Sequence, residues 1–233
     1  MKTSVYIPVD NNSMDLLSSI VELYNIGEFP PDEIIINACG IDDEKSLGIL
    51  KQIHEKNHKN VKIFARKTYD SVPDNMNYAK SLTNHEIVLL HDPKVLPSVK
   101  RCEIVKNYMT DCDVKVVHHT SYNFDVFFDD SVPVKYKNIV KSYDLYTRYF
   151  PFGEKLHAWQ YTRRYGQEFG AQWVDINSVC VRREVLDEFE FKNDYGWELY
   201  RGNGDGMGYE FALETLYKYK RSEILNIPLT IVN

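Results

Sequence analysis

The sequence predicts an α/β fold with a mostly parallel central sheet and helices on both of its faces. Three observations predict it. Over residues 3–95, short apolar runs alternate with segments whose apolar residues recur at helical spacing. The short runs are apolar almost throughout, as strands covered on both faces are, rather than alternating apolar and polar. Each run ends in a polar loop rich in Asp, Asn, Gly or Pro. Strands separated by helices in this way are βαβ units, which pair in parallel.

The elements follow in order. Ser4–Val9 (SVYIPV) is a strand stopped by Asp10-Asn11-Asn12-Ser13. Leu16, Leu17, Ile20, Leu23 and Tyr24 then share a helical face, with Ser13 as the expected N-cap. Pro30-Pro31 breaks the chain before the second strand, Glu33–Asn37 (EIIIN). Leu47, Leu50 and Ile53 mark the second helix, and Val61–Ala65 (VKIFA) the third strand. Pro73 opens a helix carrying Met76, Ala79 and Leu82, because a proline fits the first helical turn. Glu86–Leu90 (EIVLL) is the fourth strand, bounded by His91-Asp92-Pro93. Beyond it the pattern predicts a helix over 97–109 and strands over 114–119 and 173–181. Helices over 183–189 and 209–220 and a closing strand over 223–232 complete the chain. No repeat and no linker rich in Gly, Ser or Pro divides the sequence, so it reads as one domain over 1–233 with halves 1–95 and 96–233.

Composition narrows the function classes. The 233 residues are 43% hydrophobic and 27% charged, which excludes extended disorder. No apolar run reaches the roughly 18 residues of a membrane-spanning helix, and the opening Met1-Lys2-Thr3-Ser4 leads straight into a strand without a secretory h-region. Four scattered cysteines, Cys39, Cys102, Cys112 and Cys180, form no CxxC pair. A cytoplasmic, reduced protein is therefore expected. The net charge of −6 hides an asymmetry: residues 133–183 carry nine basic and four acidic side chains among six tyrosines and two tryptophans. Such a segment suits an anionic or stacking partner, such as nucleic acid, a sugar or a phosphorylated lipid carrier. It equally suits a solvated helix face over an aromatic core.

In an open parallel sheet, ligands lie beyond the carboxyl ends of the strands, where the strand order reverses. The loops to inspect are therefore Asp10–Ser13, Asn37–Asp43, Arg66–Asp74 and His91–Lys94, all polar. Asp92, following a buried strand, is placed either to ligate a cation or to cap the turn before Pro93.

The order of these motifs resembles that of GT-A-fold glycosyltransferases of the family-2 type. Tyr6-Ile7-Pro8-Val9-Asp10-Asn11-Asn12 stands where that family has a Pro, aromatic and Asn pattern at the end of its first strand. Asn37-Ala38-Cys39-Gly40-Ile41-Asp42 stands where it has base-holding acids, here with only the later one kept. Asn77 lies 15 residues before Asp92, the spacing of the family's Asn to the first acid of its metal-binding DxD, although Lys94 replaces the second acid. Val181-Arg182-Arg183-Glu184-Val185-Leu186 resembles the family's strand-to-helix step. Gly208-Tyr209-Glu210-Phe211-Ala212-Leu213 resembles the motif that supplies its catalytic base, with Glu210 at the base position. The resemblance covers about residues 3–95 and 172–232.

The resemblance implies a nucleotide-sugar-dependent, inverting hexosyl- or pentosyltransferase with a GT-A-like sheet. Residues 1–95 would bind the nucleoside-diphosphate sugar, and 96–233 the acceptor. Pro8, Asp10, Asn37, Asp42, Asn77 and Lys94 would line the donor pocket, with Asn37 reading a base edge and Lys94 pairing with the diphosphate. Asp92, helped by His91, would hold a divalent manganese or magnesium ion that neutralises the diphosphate. Glu210 would take the acceptor proton, with Asp205 in the glycine-rich run 202–208 as reserve base. Trp159, Arg163, Arg164, Trp173 and Asp175 would contact the acceptor, a glycan, a lipid carrier or a hydroxylated base in DNA. The alternative is a binding module for nucleotide sugar or nucleic acid that keeps the fold without the chemistry, a reading supported by the incomplete DxD.

Overall fold

A computed structural model of the chain describes residues 1–68, 71–111, 114–123, 155–157, 179–191 and 222–232. The first half runs β1 (Thr3–Val9), α1 (Leu17–Ile26), β2 (Glu33–Cys39), α2 (Glu44–Glu55), β3 (Val61–Arg66), α3 (Val72–Asn77), α4 (Ala79–Leu82) and β4 (Ile87–Leu90). The described elements after it are β5 (Val95–Pro97), α5 (Arg101–Asp111), β6 (Val116–Asn123), β7 (Lys155–His157), β8 (Val179–Arg182), α6 (Arg183–Glu188) and β9 (Ser222–Val232).

All nine described strands belong to one sheet, ordered β3-β2-β1-β4-β8-β6-β9-β5, with β7 paired to β9. β3, β2, β1 and β4 run parallel, in the register Tyr6 opposite Ile35 on one side and Leu90 on the other. β8 lies antiparallel between β4 and β6. Continuous apolar character is what lets β1, β2 and β4 sit in the middle: every residue of β2 and β4 is buried. Two cores follow from the alternation of side chains along each strand. One face packs Val5, Ile7, Ile36 and Leu89 with Leu17, Ile20, Leu50, Val105 and Met109 from α1, α2 and α5. The other packs Tyr6, Ile35, Val88 and Leu90 with Met76, Ala79, Val185, Leu186 and Phe191.

The structure departs from the sequence expectations at two caps. Ser13 does not cap α1, which starts at Leu17 without a side-chain cap. Instead Ser13 Oγ accepts the Asp10 backbone N–H at 2.8 Å, closing the turn after β1. Pro97 does not open a helix: it ends β5, paired with Thr230 of β9. The helix begins only after Ser98, whose hydroxyl accepts the Lys100 N–H at 3.1 Å and whose carbonyl accepts that of Arg101. Asp43 does cap α2, through the Ser46 N–H.

Gly27, at the end of α1, is required by close approach rather than by its backbone angles. A Cβ there would lie 2.5 Å from the Val99 carbonyl oxygen, which belongs to the backbone and cannot swing away. Gly27→Ala is therefore expected to cost about 1–3 kcal/mol of stability, as overpacking does. A lowered urea midpoint at unchanged slope would show it.

Candidate functional site

The strand order reverses between β1 and β4, since β1 is flanked by β2 on one side and β4 on the other. The carboxyl ends of these two strands therefore open the crevice of the sheet. Two acids stand there, Asp10 after β1 and Asp92 after β4, both half-buried. The parallel pairing of β1 with β4 ends at Tyr6 opposite Leu90; Pro8, half-buried, follows on β1 and Asp10 just after it, while Asp92 follows β4.

Asp92 sits in a tight turn. The His91 N–H donates to the Tyr6 carbonyl at 3.0 Å, and the Val95 N–H donates back to the Asp92 carbonyl at 3.2 Å. Asp92 Oδ1 accepts the Lys94 N–H at 2.7 Å. Its other oxygen accepts no hydrogen bond among the described residues. One oxygen of the carboxylate thus caps the turn, and the other is left outside that cap. Burial pushes Asp92 above the ordinary carboxylate range and the Asp10 carboxylate adds to the push, while the N–H and charge of Lys94 oppose it. A carboxylate held up by burial and by a like charge is stabilised by any cation placed between the pair. Lys94 itself is exposed.

The neighbouring loops are tied together at the same rim. Asn11 Nδ2 donates to Asp42 at 2.6 Å and to the Gly40 carbonyl at 3.3 Å, joining the loops that follow β1 and β2. Gly40 takes a left-handed φ of 62°, which favours glycine, and its N–H donates to the Arg66 carbonyl. Arg66 ends β3 with its guanidinium 3.6 Å from the centroid of the Tyr78 ring, and it donates to the Tyr78 hydroxyl at 2.8 Å.

Several expected site residues turn elsewhere. Asn37 is wholly buried and donates to the Tyr6 hydroxyl at 2.8 Å, and Tyr6 in turn donates to the Asn75 carbonyl. Its amide faces the core, so it reads no base edge in this conformation. Asn77 commits both ends of its amide to Phe191, donating to its carbonyl at 2.8 Å and accepting its N–H at 2.9 Å. That makes it a clamp between α3 and the segment after α6. His91 is also buried, and both ring nitrogens are engaged inside the protein, by Tyr24 and Arg101 on one side and the Val95 carbonyl on the other. It has no lone pair to offer a metal ion. Glu210, Asp205, Trp159, Arg163, Arg164, Trp173 and Asp175 lie outside the described residues, as does most of segment 133–183.

Among the described residues no three His, Cys, Asp or Glu side chains gather as a metal-holding group. The pair Asp10 and Asp92 nevertheless fits a divalent ion of the kind that takes one or two carboxylates and completes its shell with water and phosphate oxygens. Reading the sequence missed Arg66, Tyr78 and Arg101. Only the position of Arg66 at a strand end marked it.

No protein-family model matches the chain, and no curated protein matches it by sequence. Solved structures do. Residues 1–349 of Staphylococcus aureus TarS, in complex with UDP-GlcNAc, superpose with a TM-score of 0.68 at 14% identity, covering 100% of this chain and 58% of that one. The mannosyltransferase PcManGT from Pyrobaculum calidifontis, in complex with GDP-Man and Mn2+, gives 0.61 at 13% identity, covering 99% and 56%. Glucosyl-3-phosphoglycerate synthase from Mycobacterium tuberculosis, with Mn2+, UDP and glucosyl-3-phosphoglycerate, gives 0.60 at 12% identity, covering 100% and 72%. The chain thus spans less than two thirds of the TarS and PcManGT chains. At these identities the likeness is one of fold, and together with the strand order and the crevice between β1 and β4 it shows that the chain has the GT-A fold of nucleotide-sugar glycosyltransferases.

Proposed function

We propose that this chain is a glycosyltransferase that takes a sugar from a nucleoside-diphosphate donor and transfers it to an acceptor hydroxyl with inversion. The observation that carries the reading is the pair of half-buried acids, Asp10 and Asp92, at the point where the sheet reverses its strand order. The fold supports it, since structures with this fold contain UDP, UDP-GlcNAc or GDP-Man. Asp92, through its uncapped oxygen, and Asp10 would hold a divalent ion, which when bound would offset the charge growing on the leaving diphosphate. Pro8 and the Asn11–Asp42 bridge would wall the nucleotide side of the crevice, and Lys94 would add a positive charge on its open side. Asn37, Asn77 and His91 support these loops rather than touching the donor.

Glu210 is assigned the acceptor proton on the resemblance of its motif, with Asp205 in reserve. The acceptor oxygen would attack the anomeric carbon as the bond to the diphosphate breaks, and its proton would pass to the Glu210 carboxylate. The acceptor would meet the half of the chain that contains Trp159, Arg163, Arg164, Trp173 and Asp175.

The test is slow donor hydrolysis by the pure protein, followed as release of nucleoside diphosphate from a panel of UDP- and GDP-sugars with manganese. Release from at least one donor is expected, lost in Glu210→Gln and lowered at least about a hundredfold in Asp92→Asn. A wild-type protein that neither hydrolyses nor binds any donor would establish a fold without the chemistry.

A further inference from the structure

Arg101 is wholly buried, and its contacts gather four strands and helices onto one guanidinium. Nη1 donates to the Tyr24 hydroxyl of α1 at 2.7 Å and to His91 Nδ1 at 2.8 Å. Nη2 donates to the Leu90 carbonyl at the end of β4 at 3.0 Å and lies 3.8 Å from Cys180 Sγ of β8. Nε donates to His119 Nε2 of β6 at 3.0 Å. An arginine has donors only, so the lone pair of His91 Nδ1 faces it, shared with the Tyr24 hydroxyl at 3.0 Å. The ring proton must then sit on Nε2, which donates it to the Val95 carbonyl at 3.0 Å. Burial, with the Arg101 charge beside it, holds the imidazole neutral.

The consequence lies in the turn just past β4, where His91 is buried and Asp92, next to it, is half-buried. The His91 backbone is fixed to Tyr6, its side chain to Val95, and Arg101 grips both the ring and the carbonyl just before it. Both ends of the turn that carries Asp92 are thereby pinned from below. We propose that Arg101 and His91 are positioning residues that hold the Asp92–Val95 turn in its donor-binding shape, an inference that rests on the donor-site reading above. A group at a binding rim must be held to within about half an ångström to act.

The Lys94 and Val95 amides report on the turn directly, because both are held by Asp92. In the full chain, His91→Leu is expected to speed their hydrogen exchange at least tenfold and to weaken UDP binding with manganese at least tenfold. His91→Gln, which keeps an acceptor and a donor, should recover most of both. Glu33→Gln, destabilised at the far end of the sheet, should affect neither selectively. Exchange unchanged in His91→Leu, or raised no more than in the Glu33 variant, would overturn the proposal. So would faster exchange with undiminished UDP affinity. Should His91→Leu fail to fold, nitrogen-15 spectra of wild-type histidines decide: a proton on His91 Nε2 and a bare Nδ1 are expected, and the opposite tautomer overturns it. If the wild-type protein binds no nucleoside diphosphate at all, the donor-site reading falls, while the exchange rates still report whether the clamp holds the turn.

Discussion

Asp92→Asn is expected to lower donor turnover by about 10²–10³-fold, the usual consequence of removing a charge that offsets another developing in the transition state, while leaving the folded protein at least as stable. The two effects separate because of where the carboxylate stands. Asn retains an Oδ1 that can accept the Lys94 N–H at 2.7 Å, so the turn keeps its cap. What it loses is the negative charge on the rim. That charge is a burden to the unliganded fold: burial, then the nearby Asp10, raise the Asp92 pKa above its ordinary value, so folding favours the protonated acid. Its contribution is therefore most favourable at low pH and is lost as pH rises through the folded pKa, leaving the full penalty at neutral pH. Turnover and urea midpoint measured on the same preparation check the prediction. A variant that turns over donor normally, or loses activity only in step with stability, would contradict it.

Glu33→Gln is expected to cost about 3 kcal/mol at neutral pH, a loss that shrinks in acid. Glu33 begins β2 at the opposite end of the sheet and is buried. One oxygen accepts from Ser4 Oγ at 2.6 Å and from the Asn84 N–H at 2.6 Å. The other accepts from Lys62 Nζ at 2.8 Å and from Asn84 Nδ2 at 3.1 Å. Burial alone would raise its pKa, but these donors outweigh it and bring it down from 4.5 to about 2. A depressed acid stabilises the fold above its unfolded pKa and loses that contribution as pH falls through the folded one. Wild-type stability should therefore fall between about pH 4.5 and pH 2, and the variant should lack this component. Urea unfolding of both proteins at pH 7 and at two points within that window measures it. Equal pH dependence in the two would rule the network out as the cause.

The parallel half of the fold was legible because its strands are written as unbroken apolar runs, EIIIN and EIVLL above all. An apolar run fixes burial without needing a named partner. The position of Asp92 at a strand end was legible for a related reason, as a polar residue where such a run stops. The side chains that the structure engages inside the fold are engaged by partners that spacing does not reveal. Asn77 looks like a pocket residue until Phe191, 114 residues on, takes both ends of its amide. His91 looks like a metal ligand until Arg101 and Tyr24 close on it. Asn37 looks like a base reader until the Tyr6 hydroxyl fills its view. Spacing cannot show which of its neighbours a polar group will choose, because that choice is made by the packed sheet. Ser13 and Pro97 each fit two local geometries: Ser13 closes the turn back to Asp10, while pairing with Thr230 of β9 draws Pro97 into a strand.

The most direct test of the account is a crystal structure with a nucleoside diphosphate and manganese. It predicts the diphosphate in the crevice between β1 and β4, with the metal bound to an oxygen of Asp92 at about 2.0–2.3 Å and Asp10 beside it. Nucleotide bound elsewhere on the molecule, with Asp10 and Asp92 touching neither metal nor phosphate, would contradict it.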